Sequence, residues 1–379
     1  MYVKRILPNG VRLITERIDN MRTVSVGIWV GNGSRYEPAE LGGVSHFIEH
    51  MIFKGTEKRS ARHIAIAIDA LGGQANAFTD KECTCYYMKV LDSRLKNAVA
   101  LLADMFLHSR FAQEDLELER GVVLEEIDMY EDTPDDLCAE KLFGAVFQGS
   151  PLARPILGVP ETLATMTGDS LKAYHHSHYR GDNTVVALAG SFTQADLADL
   201  RQRFSALPAG QPQPVVPAKY TPAFVATPKP IEQNHLTLAF PGLDYNSPRR
   251  FALQLLSSIL GGGVSSRLFQ QVREQQGLCY SIYSYGAGHA DTGVFCIYTA
   301  PMSLSIVGYL AVTDAPNALL VSVMMVLAQV LFLVVLSRLP HLLRLKFYPS
   351  YAAMTFPFVI SAMALGKGVQ ALYAAGYSI

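Results

Sequence analysis

The run at residues 41–56, LGGVSHFIEHMIFKGT, contains His46-Phe47-Ile48-Glu49-His50. Histidines four apart project from one face of a helix, and Glu49, three residues after His46, lies at the edge of that face. Such a set suits zinc: two neutral nitrogen ligands, with a carboxylate placed to take a proton from the attacking water. The bland alternative is two histidines satisfied on the surface of an ordinary amphipathic helix. A catalytic zinc needs a third protein ligand and an open fourth position. The rest of the chain has to supply that third donor.

The stretch 113–130, QEDLELERGVVLEEIDMY, offers Glu114, Glu117, Glu119, Glu125 and Glu126. Read as a helix, it predicts that Glu126 points inward on a face shared with Val122, Val123, Met129 and Tyr130. Glu125 falls nearer Leu118, Gly121 and Asp128, a more polar side. Glu119 precedes Glu126 by seven residues, two turns along the same face. These positions mark Glu126 as the third ligand and Glu119 as a nearby second carboxylate. The alternative for Glu119 is a solvated helix charge.

Several elements have to position these groups. Pro8-Asn9-Gly10 signals a tight turn before the alternating run VRLITERI. Residues 23–31, TVSVGIWVG, read as a buried strand. Residues 41–53 have helical periodicity, with Gly55 as a C-terminal stop. Residues 72–91, GGQANAFTDKECTCYYMKVL, read as two strands joined by a turn at Asp80-Lys81. Residues 92–130 are mostly helical in two segments, 170–179 form a helix end, and 184–190 form a further strand. Strands alternating with helix pairs predict an α+β fold of α/β-layered domains. Three histidines, His175, His176 and His178, raise the question of a second metal. A helix C-terminus, where histidine is comfortable, is the simpler reading. Gly261-Gly262-Gly263 lacks the P-loop lysine pattern and reads as a flexible turn.

The segment 208–222, PAGQPQPVVPAKYTP, holds five prolines and reads as a stiff linker. Beyond it the pattern restarts. NHLTLAFPG echoes the strand at 23–31, a helical region covers 250–274, and LCYSIYSYGAGHADTGVFCIYTA echoes the paired strands at 72–91. The offset is roughly 210 residues, about one domain. This organisation predicts a zinc-binding domain at 1–207, the linker, and a similar but truncated domain at 223–303. The second copy stops after its paired strands.

Net charge is −1, which gives no field favouring nucleic acid or an anionic membrane. Five cysteines, Cys83, Cys85, Cys138, Cys279 and Cys296, form no C-x-x-C pair and read as buried reduced thiols in a cytoplasmic protein. The N-terminal residues contain no apolar run of signal-peptide length. The last 76 residues differ in kind, with one acid (Asp314) and four bases (Arg338, Arg344, Lys346, Lys367). Residues 318–336 are nineteen residues without a charge, long enough to cross a bilayer, and 351–365 are apolar again. Residues 304–379 therefore read as apolar, transmembrane-like helices.

Taken together, HFIEH and the later glutamate-rich helix resemble the inverzincin metallopeptidases of the pitrilysin and insulinase family, nearest their processing-peptidase-like bacterial branch. GGVSHFIEHMIFKGT, LGGQANAFTDKECTCYY and RGVVLEEIDMYEDTPDD carry the resemblance, which spans residues 1 to about 303. It implies one zinc per chain, held by His46, His50 and Glu126. It makes Glu49 the general base for attack of water on a peptide carbonyl, with Glu119 supporting the site. It implies that Asn76, Ala77 and Phe78 hold substrate as an added strand, a mode that demands little of the peptide's sequence. It implies that Arg273 and Tyr280 complete the active site from the second domain, where a guanidinium and a phenol suit a developing oxyanion and a substrate carbonyl. Peptide substrates and a homo- or heterodimer with a related subunit follow as partners.

The tail, with FYPSYAAMTFPFVISAMA as its most telling run, resembles a bacterial membrane transporter of the tellurite-resistance and dicarboxylate type. The basic cluster after the first apolar run would sit in the cytoplasm by the positive-inside rule, which would put the preceding domains outside. The conflict disappears if a peptidase and a fragment of a polytopic protein are joined near residues 303–308. The resulting expectation is a zinc endopeptidase. Its alternative is a catalytically impaired or membrane-tethered fusion of the two pieces.

Overall fold

The computed structural model describes residues 2–211, 214–229, 231 and 234–301. The apolar runs at 318–336 and 351–365, the join at 303–308 and the transporter-like tail all lie outside these residues. Among the described residues, no helix is long and apolar enough to cross a membrane. The described residues divide into two compact units, 2–225 with His289–Asp291, and Ala226–Gly288 with 292–301.

The first unit runs β1 (Val3–Ile6), β2 (Arg12–Arg17), β3 (Thr23–Val30), α1 (Val44–Ile52), α2 (Ala61–Leu71), β4 (Gln74–Thr79), β5 (Thr84–Leu91), α3 (Leu95–His108) and α4 (Gln113–Asp132). It continues with α5 (Pro134–Val146), α6 (Pro160–Thr165), α7 (Gly168–His178), β6 (Thr184–Gly190) and α8 (Gln194–Phe204). Its six strands form one sheet in the order β1-β2-β6-β3-β5-β4. Alternation decides which face is covered. In β3, Val24, Val26, Ile28 and Val30 are buried, while Ser25 and Trp29 are exposed. Their partners across β5, Val90, Met88 and Tyr86, are buried opposite them. Period-two burial of this kind specifies register, because a one-residue slip would turn every valine to solvent.

Helices close the core over that face. On α1, Val44, Phe47, Ile48, Met51 and Ile52 are all buried, the i, i+3, i+4, i+7, i+8 pattern of a core-facing helix. Each such side chain contributes about 1.5–3 kcal/mol by leaving water. Glu37 fixes the start of this helix. Its carboxylate, buried, accepts the Gly43 N–H at 2.7 Å and the Ser45 N–H at 2.8 Å, two donors of the helix N-terminus. The helix ends at Ile52, and Phe53 closes the last turn. Gly55 is not the helix stop. With φ near +140°, it forms a bridge to Ser60 that turns the chain after the helix has ended.

The second unit holds β7 (Leu236–Pro241), α9 (Arg250–Gly261), a π-helical turn (Phe269–Gln275), β8 (Cys279–Gly288) and β9 (Gly293–Pro301). Its sheet order, β7-β9-β8, matches β3-β5-β4 of the first unit strand for strand, all antiparallel. The helical region expected over 250–274 is broken by Gly262, at the end of α9. The glycine run also does more than turn. A Cβ on Gly261 would lie 2.4 Å from the Ser284 nitrogen, so glycine lets α9 pack against β8. Ser257 and Ser284 then exchange hydrogen bonds across that contact.

Candidate metal centre

Two helices bring the donors together. His46 and His50 stand on α1, on the side away from its apolar stripe, with ring centroids 4.5 Å apart. α4 supplies Glu126. Its carboxylate oxygen Oε2 lies 3.5 Å from His46 Nε2 and 3.5 Å from His50 Nε2. Among the described residues, His46, His50 and Glu126 form the one group of three donors close enough to share a metal, with all ligand atoms within 4.8 Å.

The face of α4 differs from the sequence expectation. Val122, Met129 and Tyr130 are exposed, so they do not line an inward face with Glu126. The inward stripe is Leu116, Glu119 and Val123, all buried, with Glu126 next in the same 3–4 rhythm. Three apolar side chains in reach of solvent misled the pattern, because apolar side chains are common on surfaces.

The surrounding charges differentiate the groups. Burial, reinforced by the neighbouring His50, pushes His46 down to about 4, so its ring is neutral with a lone pair to offer. Burial also pushes His50 down, but hydrogen bonds to Glu126 and Glu119 outweigh it and the net direction is up. The hydrogen bond with His50 holds Glu126 below the usual carboxylate range. Glu49 goes the other way, raised by burial despite a hydrogen bond from Thr79. The Thr79 hydroxyl donates to Glu49 Oε2 at 2.6 Å, which orients this carboxylate. Thr79 was not singled out from the sequence. Strand alternation was the available signal, since Thr79 shares the α1-facing side of β4 with Ala77.

Glu119 is buried, and its Oε1 accepts a 2.9 Å hydrogen bond from His50 Nδ1. It is not the solvated charge of the alternative reading. β4 is the outermost strand beside β5, so one side of its backbone is open. Asp80 N–H bonds Cys83 O at the hairpin end, and the antiparallel alternation from there leaves the Ala77 backbone facing the open side. Ala77 N–H is held by the side chain of Asn76 at 2.9 Å. A cleft of about 900 Å³ adjoins the donors, lined by His46, Glu49, Ala77, Phe78, Thr79 and Glu126, with apolar walls including Leu137 and Ile156. Phe78 packs edge-on against Trp29. Asn76 does not line the cleft.

In the second unit, Arg273 sits in the π-helical turn with its guanidinium 4.4 Å above the Phe269 ring and 6.0 Å from the Tyr280 ring. The three histidines of α7 form no metal site with one another. His175 is half-buried against Phe106, Phe111 and Tyr179, and desolvation there pushes it down to about 4. His178 stacks on Tyr174 at 3.8 Å. All three histidines lie in the last turn of α7, as the sequence predicts, and His175 is neutral there. The five cysteines form no disulfide among the described residues, and burial pushes Cys83 up to about 11 and Cys85 up to about 12. Neither is a ready thiolate at neutral pH.

An inverted H-x-x-E-H helix, a glutamate from a second helix and an antiparallel sheet edge beside them define a metallopeptidase-like site. The chain belongs to the insulinase family, peptidase family M16, whose pattern matches residues 12–159. Residues 165–307 match the family's inactive domain. A protein of Bacillus subtilis named as an uncharacterized zinc protease, YmxG, is 46% identical over 291 residues, 76% of this chain and 71% of that protein. An uncharacterized zinc protease of Mycobacterium leprae, ML0855, is 44% identical over 303 residues, 78% of this chain and 68% of its own length. Among solved structures, a protease from Helicobacter pylori superposes with a TM-score of 0.75 at 19% identity, covering 88% of this chain and 85% of that one. At that identity the likeness speaks for the fold.

Proposed function

We propose that this chain is a zinc-dependent endopeptidase for peptides or unfolded segments. The observation that carries the reading is the spacing of the donors. Ligands 2.0–2.1 Å from a tetrahedral zinc lie roughly 3.3 Å from one another. The two histidine nitrogens stand 3.5 Å from the Glu126 oxygen, close to that edge length, and the set is the N,N,O type that zinc accepts. His46, His50 and Glu126 would hold the ion. Zinc bound there would supply a Lewis acid and lower the pKa of a nearby water.

The chain's own residues account for the rest. An extended peptide adds to the open side of β4, displacing the Asn76 side chain from Ala77 N–H and leaving side-chain choice to the cleft. The apolar cleft wall takes one substrate side chain. Glu49, held by Thr79 and raised by burial, accepts a proton from the attacking water and returns it to the leaving amine. Glu119 orients His50. Arg273 and Tyr280, adjacent within the second unit, are assigned to the oxyanion and a substrate carbonyl on the family resemblance. Peptides are the substrates, and a dimer with a related subunit is the expected assembly.

Glu49→Gln tests this function. The variant keeps about one zinc per chain and loses peptide cleavage by on the order of 10²–10⁴-fold. Turnover equal to the wild type defeats the assignment.

A second reading has one observation in its favour. The family match ends at residue 307, and the apolar runs at 318–336 and 351–365 begin soon after. In that reading a cytoplasmic peptidase is joined to a carrier fragment, and the product is membrane-associated or catalytically impaired. The intact mass of the native protein tests it: a mass lacking the tail peptides sinks the fusion.

A further inference from the structure

Lys54 lies two residues beyond α1. Its backbone N–H bonds Met51 O at 3.0 Å, continuing the turn that closes the helix. Gly55, with its positive φ, then redirects the chain. This short turn aims the Lys54 side chain at α4, where its ammonium pairs with Glu119 Oε2. The other oxygen, Oε1, receives His50 Nδ1. Both oxygens of Glu119 are therefore engaged, in a carboxylate whose side chain is only 7% exposed. The two imidazoles differ in support. His46 Nδ1 is buried with no hydrogen-bond partner, while His50 Nδ1 has this backed carboxylate.

We propose that Lys54 is a positioning residue of the metal centre, acting through Glu119 on His50. This rests on the zinc reading above. A carboxylate that holds an imidazole N–H fixes the tautomer, the ring plane and the direction of the other nitrogen's lone pair. Glu119 can do this only while its carboxylate stays in place in a buried site. Lys54 supplies the compensating charge that makes a buried carboxylate tolerable and ties the oxygen that would otherwise be free to rotate away. The line Lys54–Glu119–His50 thus runs from a half-exposed lysine to the ligand nitrogen. It leaves Glu49 as the carboxylate free for proton transfer and accounts for why a second glutamate so near the donors is not a second base.

The test uses the full chain, with zinc affinity measured by competition against a chromophoric chelator. Lys54→Met weakens zinc binding by about 10–100-fold, the usual effect of losing such outer support. Lys54→Arg, which keeps the charge, stays within about threefold of the wild type, and Glu119→Gln alone matches the loss in Lys54→Met. The double variant Lys54→Met/Glu119→Gln binds no more weakly than Glu119→Gln, because the lysine acts through that glutamate. Thermal unfolding of the zinc-free proteins separates folding defects from binding defects. Should Lys54→Met fail to fold, the Lys54→Arg affinity and the activity of Glu119→Gln with and without the arginine carry the comparison. Wild-type affinity in a folded Lys54→Met, a large loss in Lys54→Arg, or additive losses in the double variant would overturn the proposal. Failure of the wild type to bind zinc would instead overturn the function on which it rests.

Discussion

At the scale of single residues, the candidate metal centre combines unequal environments for chemically similar groups. Glu49 and Glu126 are both carboxylates, yet burial raises one and its histidine partner lowers the other. One is suited to move a proton and the other to stay charged beside a cation. The same logic gives a pH prediction away from the site. His175 has a folded pKa of about 4 against 6.5 in its free form, because packing among aromatic rings desolvates it. Between those values the unfolded chain holds a proton that the native chain does not, so stability is complete above about pH 6.5 and falls as pH falls toward 4. The cost across that window is about 3 kcal/mol. His175→Phe, of similar shape, flattens this part of the stability profile in denaturant titrations at pH 7 and pH 5. An unchanged difference between the two pH values would contradict the neutral assignment.

At the scale of elements, α1 was legible because two patterns overlap without conflict. The apolar stripe from Val44 to Ile52 and the polar pair His46 and His50 occupy different sides of one short helix. α4 was legible only in part. Glu126 was picked out by a face argument whose supporting residues, Val122, Met129 and Tyr130, turn out to be exposed. The true neighbours, Glu119 and Val123, follow from packing against α1, which one helix's periodicity does not contain. Thr79, Lys54 and Glu37 were missed for the same reason: each acts across a tertiary contact. The edge position of β4 predicts tolerance of a proline at Ala77, whose N–H makes no bond to β5. Ala77→Pro changes unfolding free energy by less than about 1 kcal/mol. It raises the KM for peptides about tenfold, since one main-chain hydrogen bond to an added strand is lost. An unaltered KM would mean that the peptide does not add at this edge.

At the scale of the whole molecule, the repeated strand order of the two units explains why the second half echoes the first in sequence. β3-β5-β4 and β7-β9-β8 are one arrangement used twice. Among the described residues only the first copy brings histidines and a glutamate within reach of one ion, so one zinc per chain is expected. The repeat offset was readable because a period of about 210 residues does not depend on side-chain contacts. The central claim is that hydrolysis depends on an ion held by His46, His50 and Glu126. The most direct measurement is the cleavage rate of a fluorogenic peptide before chelation, after chelation, and after return of one equivalent of zinc. The rate should fall by at least about 100-fold on chelation, the equivalent of ~3 kcal/mol, and recover with zinc. A rate indifferent to chelation would contradict the account.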